Sequence, residues 1–429
     1  MKKPEVESGP PNALADWLDE VSGPEWIWFV KILSANDTYA KANVHQGGPY
    51  VAKEVLRVVF PLLSKRANTK SNPDLRMPTT IGIGSDETTL DLRLIWYNSK
   101  RLGQSNGRDE ARLTRWGGLG APVVSPESTG SLTIFAYHQP SKTKDADALR
   151  VWVARGIDDE DQITARVGPV EPGTGLVVTP TGLALSAPAR MADRPCWLEE
   201  EELPASWRKS FPSGEEIIRA VIDRLPTVQG TLSDNRLLRR RDCEYEVFRS
   251  VEQYYVLPRL QEKFATVDLF LSLAHSVTNR RKSRSGKSLE LHLSAIFRED
   301  DLLFTNGAKT EGARRPDFIF PSIEKYFRSS WPSSKLRMLG AKTTVKDRWR
   351  QILNEARRVE RKHLLTLQEG VSVEQFREMQ DEGVTLVVPK PLQKHYPAEV
   401  VPDLISLSRF IDETRSLCSG LRDTLKIRQ

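Results

Sequence analysis

Cysteine is scarce in this chain: three in 429 residues, Cys196, Cys243 and Cys418, odd in number, far apart and without a CxxC pair. Such spacing predicts neither a disulfide framework nor a zinc cage, and a reducing compartment fits it best. Long apolar runs are also lacking. No stretch approaches the roughly 18 uninterrupted apolar residues of a membrane helix, and the opening MKKPEVESGPPN has two lysines but no apolar segment to follow them. A cytoplasmic protein with no membrane partner is expected. Nor is there a large excess of one charge, since 63 Lys and Arg against 57 Asp and Glu leave a net +6. That balance permits a nucleic-acid partner without demonstrating one. Repeats and low-complexity tracts are absent.

What remains is ordinary globular text, 39% hydrophobic with 26 glycines. At about 150 residues per domain it is long enough for two or three domains. Over residues 10–180 apolar and polar side chains alternate in short runs. Leu90, Leu92 and Leu94 interleave with Asp91 and Arg93, and SLTIFAY (131–137), LRVWVAR (149–155) and GLVVT (175–179) repeat the pattern, which is that of half-buried strands. PYVAKEVLRVVFPLL (49–63) reads as a helix with Val51, Val55, Val58 and Val59 on one face. A β-barrel or sandwich with one or two helices is expected. Residues 181–212, rich in proline and carrying the acidic run Glu199 to Glu202, read as a linker.

From 213 to 429 the period changes to 3.6. Ser213 followed by Glu216 is a capping-box signature, and helical patterns recur at 242–257, 264–276, 287–298, 346–362, 372–381 and 402–416. Between them stand short apolar runs, PDFIFP (316–321), LRMLGAK (336–342), HLLTLQ (363–368) and VTLVVP (384–389). This alternation predicts an α/β domain with a central mixed sheet.

The same half carries Glu290, Asp317, Lys342 and Glu355 in order. Carboxylates at a strand start and on helices, with a lysine on the next strand, suit a hard divalent cation such as Mg²⁺, which takes oxygen ligands and needs only one or two protein carboxylates beside a substrate phosphate. In phosphodiester hydrolysis such an ion polarises the phosphoryl oxygen, and a lysine orients water or neutralises developing charge. The motif departs from the usual (D/E)xK pattern, because the residue two before Lys342 is Gly340. Glu355, expected on the helix leaving this strand, is placed to return the missing acid. Five cations in eight residues, Arg280, Arg281, Lys282, Arg284 and Lys287, immediately precede the helix expected to bear Glu290. They read either as a solvated face or as guanine and phosphate contacts. Arg239 to Arg241 read as surface or phosphate contacts.

The segments NRRKSRSGKSLELHL (279–293), RRPDFIFPS (314–322), AKTTVKDRWRQILNEA (341–356) and HLLTLQEGVS (363–372) resemble the catalytic domain of EcoRII-type restriction endonucleases, of the PD-(D/E)xK nuclease superfamily. LSANDT (33–38), IWYNSK (95–100), LTRWG (113–117) and FPSGEEII (211–218) extend the likeness along nearly the whole chain. The resemblance implies an N-terminal mainly-β pseudobarrel effector domain that binds a further copy of the DNA site, and a C-terminal catalytic domain that dimerises. It implies Mg²⁺-dependent hydrolysis of double-stranded DNA at a short CC(A/T)GG-like site, leaving 5′-phosphate ends. A cognate DNA cytosine methyltransferase is the implied functional partner.

By the same resemblance Asp317 and Lys342 match the catalytic pair, Glu355 the displaced acid and Glu290 an upstream acid, with Asp317, Glu355 and Glu290 as metal ligands. Tyr326 and Lys346 match further active-site positions, although Tyr326 reads equally as a packed aromatic. Lys346 opens a helix, where a phosphate contact explains a cation better than the dipole does. The basic run becomes a base-reading element. In the N-terminal half Lys31, His45, Tyr50, Arg112, Arg115 and Trp116 are the expected DNA contacts, while 41–44 and 108–111 depart from the family text. Two rival readings stand: a structure-directed repair or recombination nuclease of the same fold, and a DNA-binding regulator whose nuclease half is inactive.

Overall fold

A computed structural model describes residues 13–40, 48–83, 86–100, 109–118, 120–180, 195–262, 264–312 and 314–418. The chain divides into two compact units, the first comprising Met1–Met191 with Gln368–Gln375 and His395–Glu399, the second the remainder.

The first unit is built on eight strands: β1 (Trp26–Ile32), β2 (Tyr50–Val51), β3 (Asp74–Ile83), β4 (Asp86–Tyr97), β5 (Glu110–Thr114), β6 (Leu132–His138), β7 (Ala148–Val153) and β8 (Gly175–Val178). They form one sheet in the order β2-β5-β4-β3-β7-β6-β1-β8, antiparallel except for the parallel pair β3 and β7. Each strand expected from period-two alternation is present. β4 sends Leu92, Leu94 and Trp96 into the larger core. In β1 both faces are covered: Ile27 and Phe29 join that core, while Trp28, Val30 and Ile32 join a second one with Trp17 and Ile163 of the flanking helices. This explains why WIWFV (26–30) is an unbroken apolar run. Each large side chain so buried contributes about 1.5–3 kcal/mol. The expected helix at 49–63 is instead a strand residue pair and two short helices, Lys53–Val59 and Pro61–Arg66. Pro61 lacks the N–H that a continuous helix would need.

The second unit carries a mixed five-stranded sheet, β9 (Thr305–Asn306), β10 (Phe318–Phe320), β11 (Arg337–Lys342), β12 (Lys362–Thr366) and β13 (Val384–Val387), in the order β13-β12-β11-β10-β9. β9, β10 and β11 pair antiparallel and β11, β12 and β13 parallel. Phe297, Phe318, Phe320, Leu339, Leu365 and Phe410 pack the core on this sheet. The mixed α/β arrangement agrees with the reading of the sequence, and the Ser213–Glu216 capping box forms as expected.

Four expectations for this half need correction. The helices at 264–276 and 287–298 are one helix, Val267–Glu299, so the basic run lies inside it rather than before it. The helix holds through this run because Arg281 and Arg284, three residues apart and thus on one face, pair with Glu252 and Glu244 of the neighbouring helix Ser233–Gln261. The segment 346–362 is a short 3₁₀ helix, Lys346–Ile352, followed by a turn that holds Glu355. Residues 195–212 are not an extended linker: Cys196, Leu198, Leu203 and Trp207 are buried with Ile217, Val221 and Val247. Residues 181–194 lie outside those described. Finally, Cys196 and Cys243 form a disulfide. They are 47 residues apart in sequence, and only the packing of 195–212 onto the helix Ser233–Gln261 brings them together.

Candidate active site

β10 and β11 run side by side with Phe318 opposite Leu339, which sets Asp317, just before β10, beside the end of β11. The Asp317 carboxylate accepts the Ala341 backbone N–H at 2.7 Å and the Lys342 ammonium at 3.1 Å. The main-chain contact fixes the carboxylate on the neighbouring strand, so the pair is held by sheet register as well as by charge. Asp317 is 14% exposed and Lys342 25%, enough for a substrate to reach both.

Two further carboxylates feel this pair. Glu290 is half-buried on the helix Val267–Glu299, and burial first, then the negative charge of Asp317, raises its pKa against the pull of Lys342 and Lys287. Glu355 is pushed up to about 7 by the same two causes in the same order, opposed by Lys342 and Lys362. Two glutamates whose carboxyls are raised by burial and by the neighbouring Asp317 charge make, with Asp317, an oxygen-only set of donors, the kind of set that suits a hard dication. Among the described residues no group of three or more His, Cys, Asp or Glu side chains is placed to hold a metal ion. The acids come from a helix, a strand start and a turn, and they repel one another.

Gly340 explains the missing acid of the (D/E)xK pattern. It is buried in β11, and a Cβ there would lie 2.8 Å from Ile352 Cγ2 and 3.4 Å from Leu364 Cδ1. Ile352 belongs to the segment that leads to Glu355.

Tyr326 is not brought to the Asp317–Lys342 pair by any contact. It is buried, its hydroxyl donates to Glu311 and accepts the Arg358 backbone N–H, and burial followed by Glu311 raises it to about 12. The packed-aromatic reading is the one realised. Lys346 is half-buried at the first residue of its 3₁₀ helix.

The basic run is largely engaged. The Arg280 guanidinium lies 4.7 Å from the centre of the Phe211 ring. Arg281 makes a two-pronged pair with Glu252 at 2.7 and 2.6 Å. Arg284, 7% exposed, does the same with Glu244 at 2.9 and 2.8 Å and so serves the helix pair, contrary to its expected DNA role. Glu244 also accepts from Ser288. Burial pushes its carboxyl up, but Arg284 and His292 outweigh burial and hold it far below the usual range. Lys287 is exposed, and the Lys282 side chain lies outside the described residues. Arg240 and Arg241, expected at the surface, are buried on Glu299 and Ser288.

In the first unit Lys31 is buried and pairs with Asp37 at 2.7 Å, so it is a structural cation. Burial raises the Asp37 carboxyl, and Lys31 with the Tyr50 and Ser34 N–H groups lowers it further than burial lifts it. Arg112 donates to the Asn36 and Gly48 carbonyls, closing loops. Trp116 is 1% exposed with its indole N–H on the Leu113 carbonyl, a core residue rather than a DNA contact. Arg115 is exposed, in a left-handed conformation of φ 74° ahead of Gly117 and Gly118 at φ 83° and 101°, so the turn presents it to solvent. Tyr50 is half-buried, and His45 lies outside the described residues. Sequence spacing did not reveal Glu311, Arg358 or Lys362, whose partners all lie across turns.

A mixed α/β unit with an aspartate and a lysine on neighbouring strands, joined to a mainly β unit, defines a two-domain protein with an acid–lysine centre of the hydrolase kind. The family described as "EcoRII C terminal" matches residues 248–411, and "Restriction endonuclease EcoRII, N-terminal" matches 22–182. The type II restriction enzyme EcoRII of Escherichia coli is 41% identical over 408 residues, 95% of this chain and 98% of that protein. The chain belongs to the EcoRII family of restriction endonucleases. Among solved structures, metal-depleted Ecl18kI in complex with uncleaved, modified DNA is 16% identical with a TM-score of 0.42, over 50% of this chain and 81% of that one. Its complex with uncleaved DNA gives 17% and 0.41, over 51% and 83%.

Proposed function

We propose that the protein is a type II restriction endonuclease that hydrolyses double-stranded DNA at a short CC(A/T)GG-like site, leaving 5′-phosphate ends. The observation that supports this most is the Asp317–Lys342 pair on adjacent strands with Glu290 and Glu355 within electrostatic reach. Asp317 and Glu355, with Glu290 in support, are the residues that would hold Mg²⁺. Bound there, the ion would polarise the phosphoryl oxygen and lower the pKa of the attacking water. Lys342, tethered at 3.1 Å from Asp317, orients that water and offsets the charge that builds on the phosphate. Lys346 serves as a phosphate contact. Tyr326 acts through the turn it holds rather than on the scissile bond.

For DNA contact we retain Arg280, Arg281, Lys282 and Lys287 in the second unit, and Arg115, Tyr50 and His45 in the first. Arg281 needs only one edge of its guanidinium for Glu252, which leaves N–H groups for DNA. The second unit is read as a PD-(D/E)xK fold that forms a homodimer, matching a near-palindromic site, and the first as a pseudobarrel effector domain that binds another site copy. Its place of action is the cytoplasm, beside a cognate cytosine methyltransferase. Asp317→Ala is expected to abolish cleavage of plasmid DNA in Mg²⁺ while duplex binding stays measurable by gel shift. Cleavage at discrete positions by that variant would refute the assignment.

A further inference from the structure

The turn that carries Glu355 is built around a buried cation. Lys362, the first residue of β12, is 5% exposed. Its ammonium donates to the carbonyls of Glu355 at 2.6 Å, Ala356 at 2.7 Å and Val359 at 2.6 Å. An ammonium has three N–H donors, so all of them are spent on one stretch of five residues. Ala356 adopts φ 48°, the left-handed region that a residue with a Cβ seldom occupies. A left-handed residue between two helical-type turns lets the carbonyls on either side of its Cα turn toward one point, where Lys362 meets them.

The far side of the same turn is held as well. The Arg358 N–H reaches the Tyr326 hydroxyl at 3.3 Å, and the Arg358 guanidinium caps the carbonyls of Arg328 at 3.0 Å and Trp331 at 2.6 Å. Burying an ammonium is costly unless its partners are well placed, and a glycine with ordinary main-chain bonds closes most turns without one. What a lysine at this position adds is attachment. β12 pairs directly with β11, Lys342 lying opposite Thr366, so the cation ties the Glu355 turn to the strands that carry Lys342 and, through β10, Asp317.

We propose that Lys362 is a positioning residue: by gathering the carbonyls of Glu355, Ala356 and Val359 it sets the Glu355 carboxylate against Asp317 and Lys342, without itself touching DNA or metal. This rests on the reading of Glu355 as the displaced acid.

The test uses the full-length protein as Lys362→Met, Lys362→Arg, Glu355→Gln and the two double variants that combine Glu355→Gln with Lys362→Met or with Lys362→Arg. Two quantities report on the site, single-turnover cleavage of a duplex bearing the site and calorimetric titration of Ca²⁺ into the protein–DNA complex, and a gel shift reports duplex affinity. Lys362→Met is expected to lower cleavage and Ca²⁺ affinity about 10- to 100-fold, the usual effect of removing a residue that orients a ligand. Duplex affinity should stay within about twofold, since a positioning role does not touch DNA binding. In the Glu355→Gln background the same change should alter neither quantity, because the group being positioned is gone. Lys362→Arg, which keeps the charge but spreads its donors over a plane, should be intermediate. If the Met variant does not fold, the partial loss in Lys362→Arg and its disappearance beside Glu355→Gln carry the comparison. An equal loss with and without the Glu355 carboxylate, or no loss at all, overturns the role of Lys362 alone. Glu355→Gln cleaving at the parent rate overturns the reading of Glu355 and the proposal with it.

Discussion

Gly340→Ala and Gly340→Asp test whether Ile352 has displaced the usual acid. At 2.8 Å from Ile352 Cγ2 a new Cβ is closer than carbon atoms pack. Ile352 is fully buried and has no open side to move toward. Overpacking of this kind costs about 1–3 kcal/mol, and the entropy gained by replacing glycine in the unfolded chain returns about 0.4–1 kcal/mol. Gly340→Ala should therefore lose about 1–2 kcal/mol in urea denaturation at unchanged slope. Gly340→Asp adds a carboxylate facing Ile352 and Leu364, and the desolvation of an unpaired charge raises the loss by several kcal/mol. Moving the acid back, as Gly340→Asp with Glu355→Gln, should not restore single-turnover cleavage. The double change Gly340→Ala with Ile352→Ala should cost less than the sum of its parts, because the clash and the cavity compensate. A Gly340→Asp protein of parental stability, or a Gly340→Asp/Glu355→Gln protein that cleaves at the parent rate, would show that Ile352 does not fill this place.

Further outcomes follow from other sites. Glu299 pairs with buried Arg240, 2% exposed, and with Arg236, which also holds Asp300 at 2.6 Å, so Glu299→Gln takes the carboxylate from Arg240 while Arg236 keeps one, and should cost about 3 kcal/mol in the same denaturation assay. His363 is buried, and burial, then Arg337 and Arg361, hold its imidazole down to about 3. The unfolded chain takes up that proton near pH 6.5, so this contribution to stability is complete above about 6.5 and is lost as pH falls toward 3. By pH 5 the loss should amount to about 2 kcal/mol, and His363→Gln should flatten the decline between pH 7 and 5; an unchanged slope would refute this. Tyr326→Phe and Glu311→Ala each remove the hydrogen bond between these two side chains, so their effects on thermal stability should be non-additive by at least about 0.5 kcal/mol in a double-mutant cycle. A fragment starting at Ala192 should melt cooperatively, whereas one starting at Ser213 loses Cys196, Leu198, Leu203 and Trp207 from its core and should melt much lower.

How far the sequence could be read depended on whether a signal was local. Alternating and apolar runs located β4, β6, β7 and β8 of the first unit, because side chains one residue apart along a strand face opposite sides, but not β1, β2, β3 or β5. The apolar runs at 316–321, 336–342, 363–368 and 384–389 each became a strand of the second sheet, and Asp317 and Lys342 stood out because a carboxylate and a lysine at adjacent strand ends have a chemical reason to be there. The basic run misled for the opposite reason: charge in a sequence carries no information about its partner. Arg284 and Lys31 read as DNA contacts, yet Glu244 and Asp37, 40 and 6 residues away in sequence, stand against them. Trp116 was likewise taken from its neighbours Arg112 and Arg115, although its indole N–H turns inward to Leu113.

The two-part organisation, the class of each part, the family and the pairing of Asp317 with Lys342 were all legible along the chain, because they rest on local periodicity and short ordered motifs. Tertiary structure alone decided that the segment from Cys196 onward packs as part of the second unit's core, and that Cys196 meets Cys243. It also packs Ile352 where a side chain on Gly340 would go, and sets Glu355 on a turn whose carbonyls Lys362 gathers. Each of these depends on residues brought together by chain reversal, where long-range packing chooses the partner and no spacing along the chain records the choice.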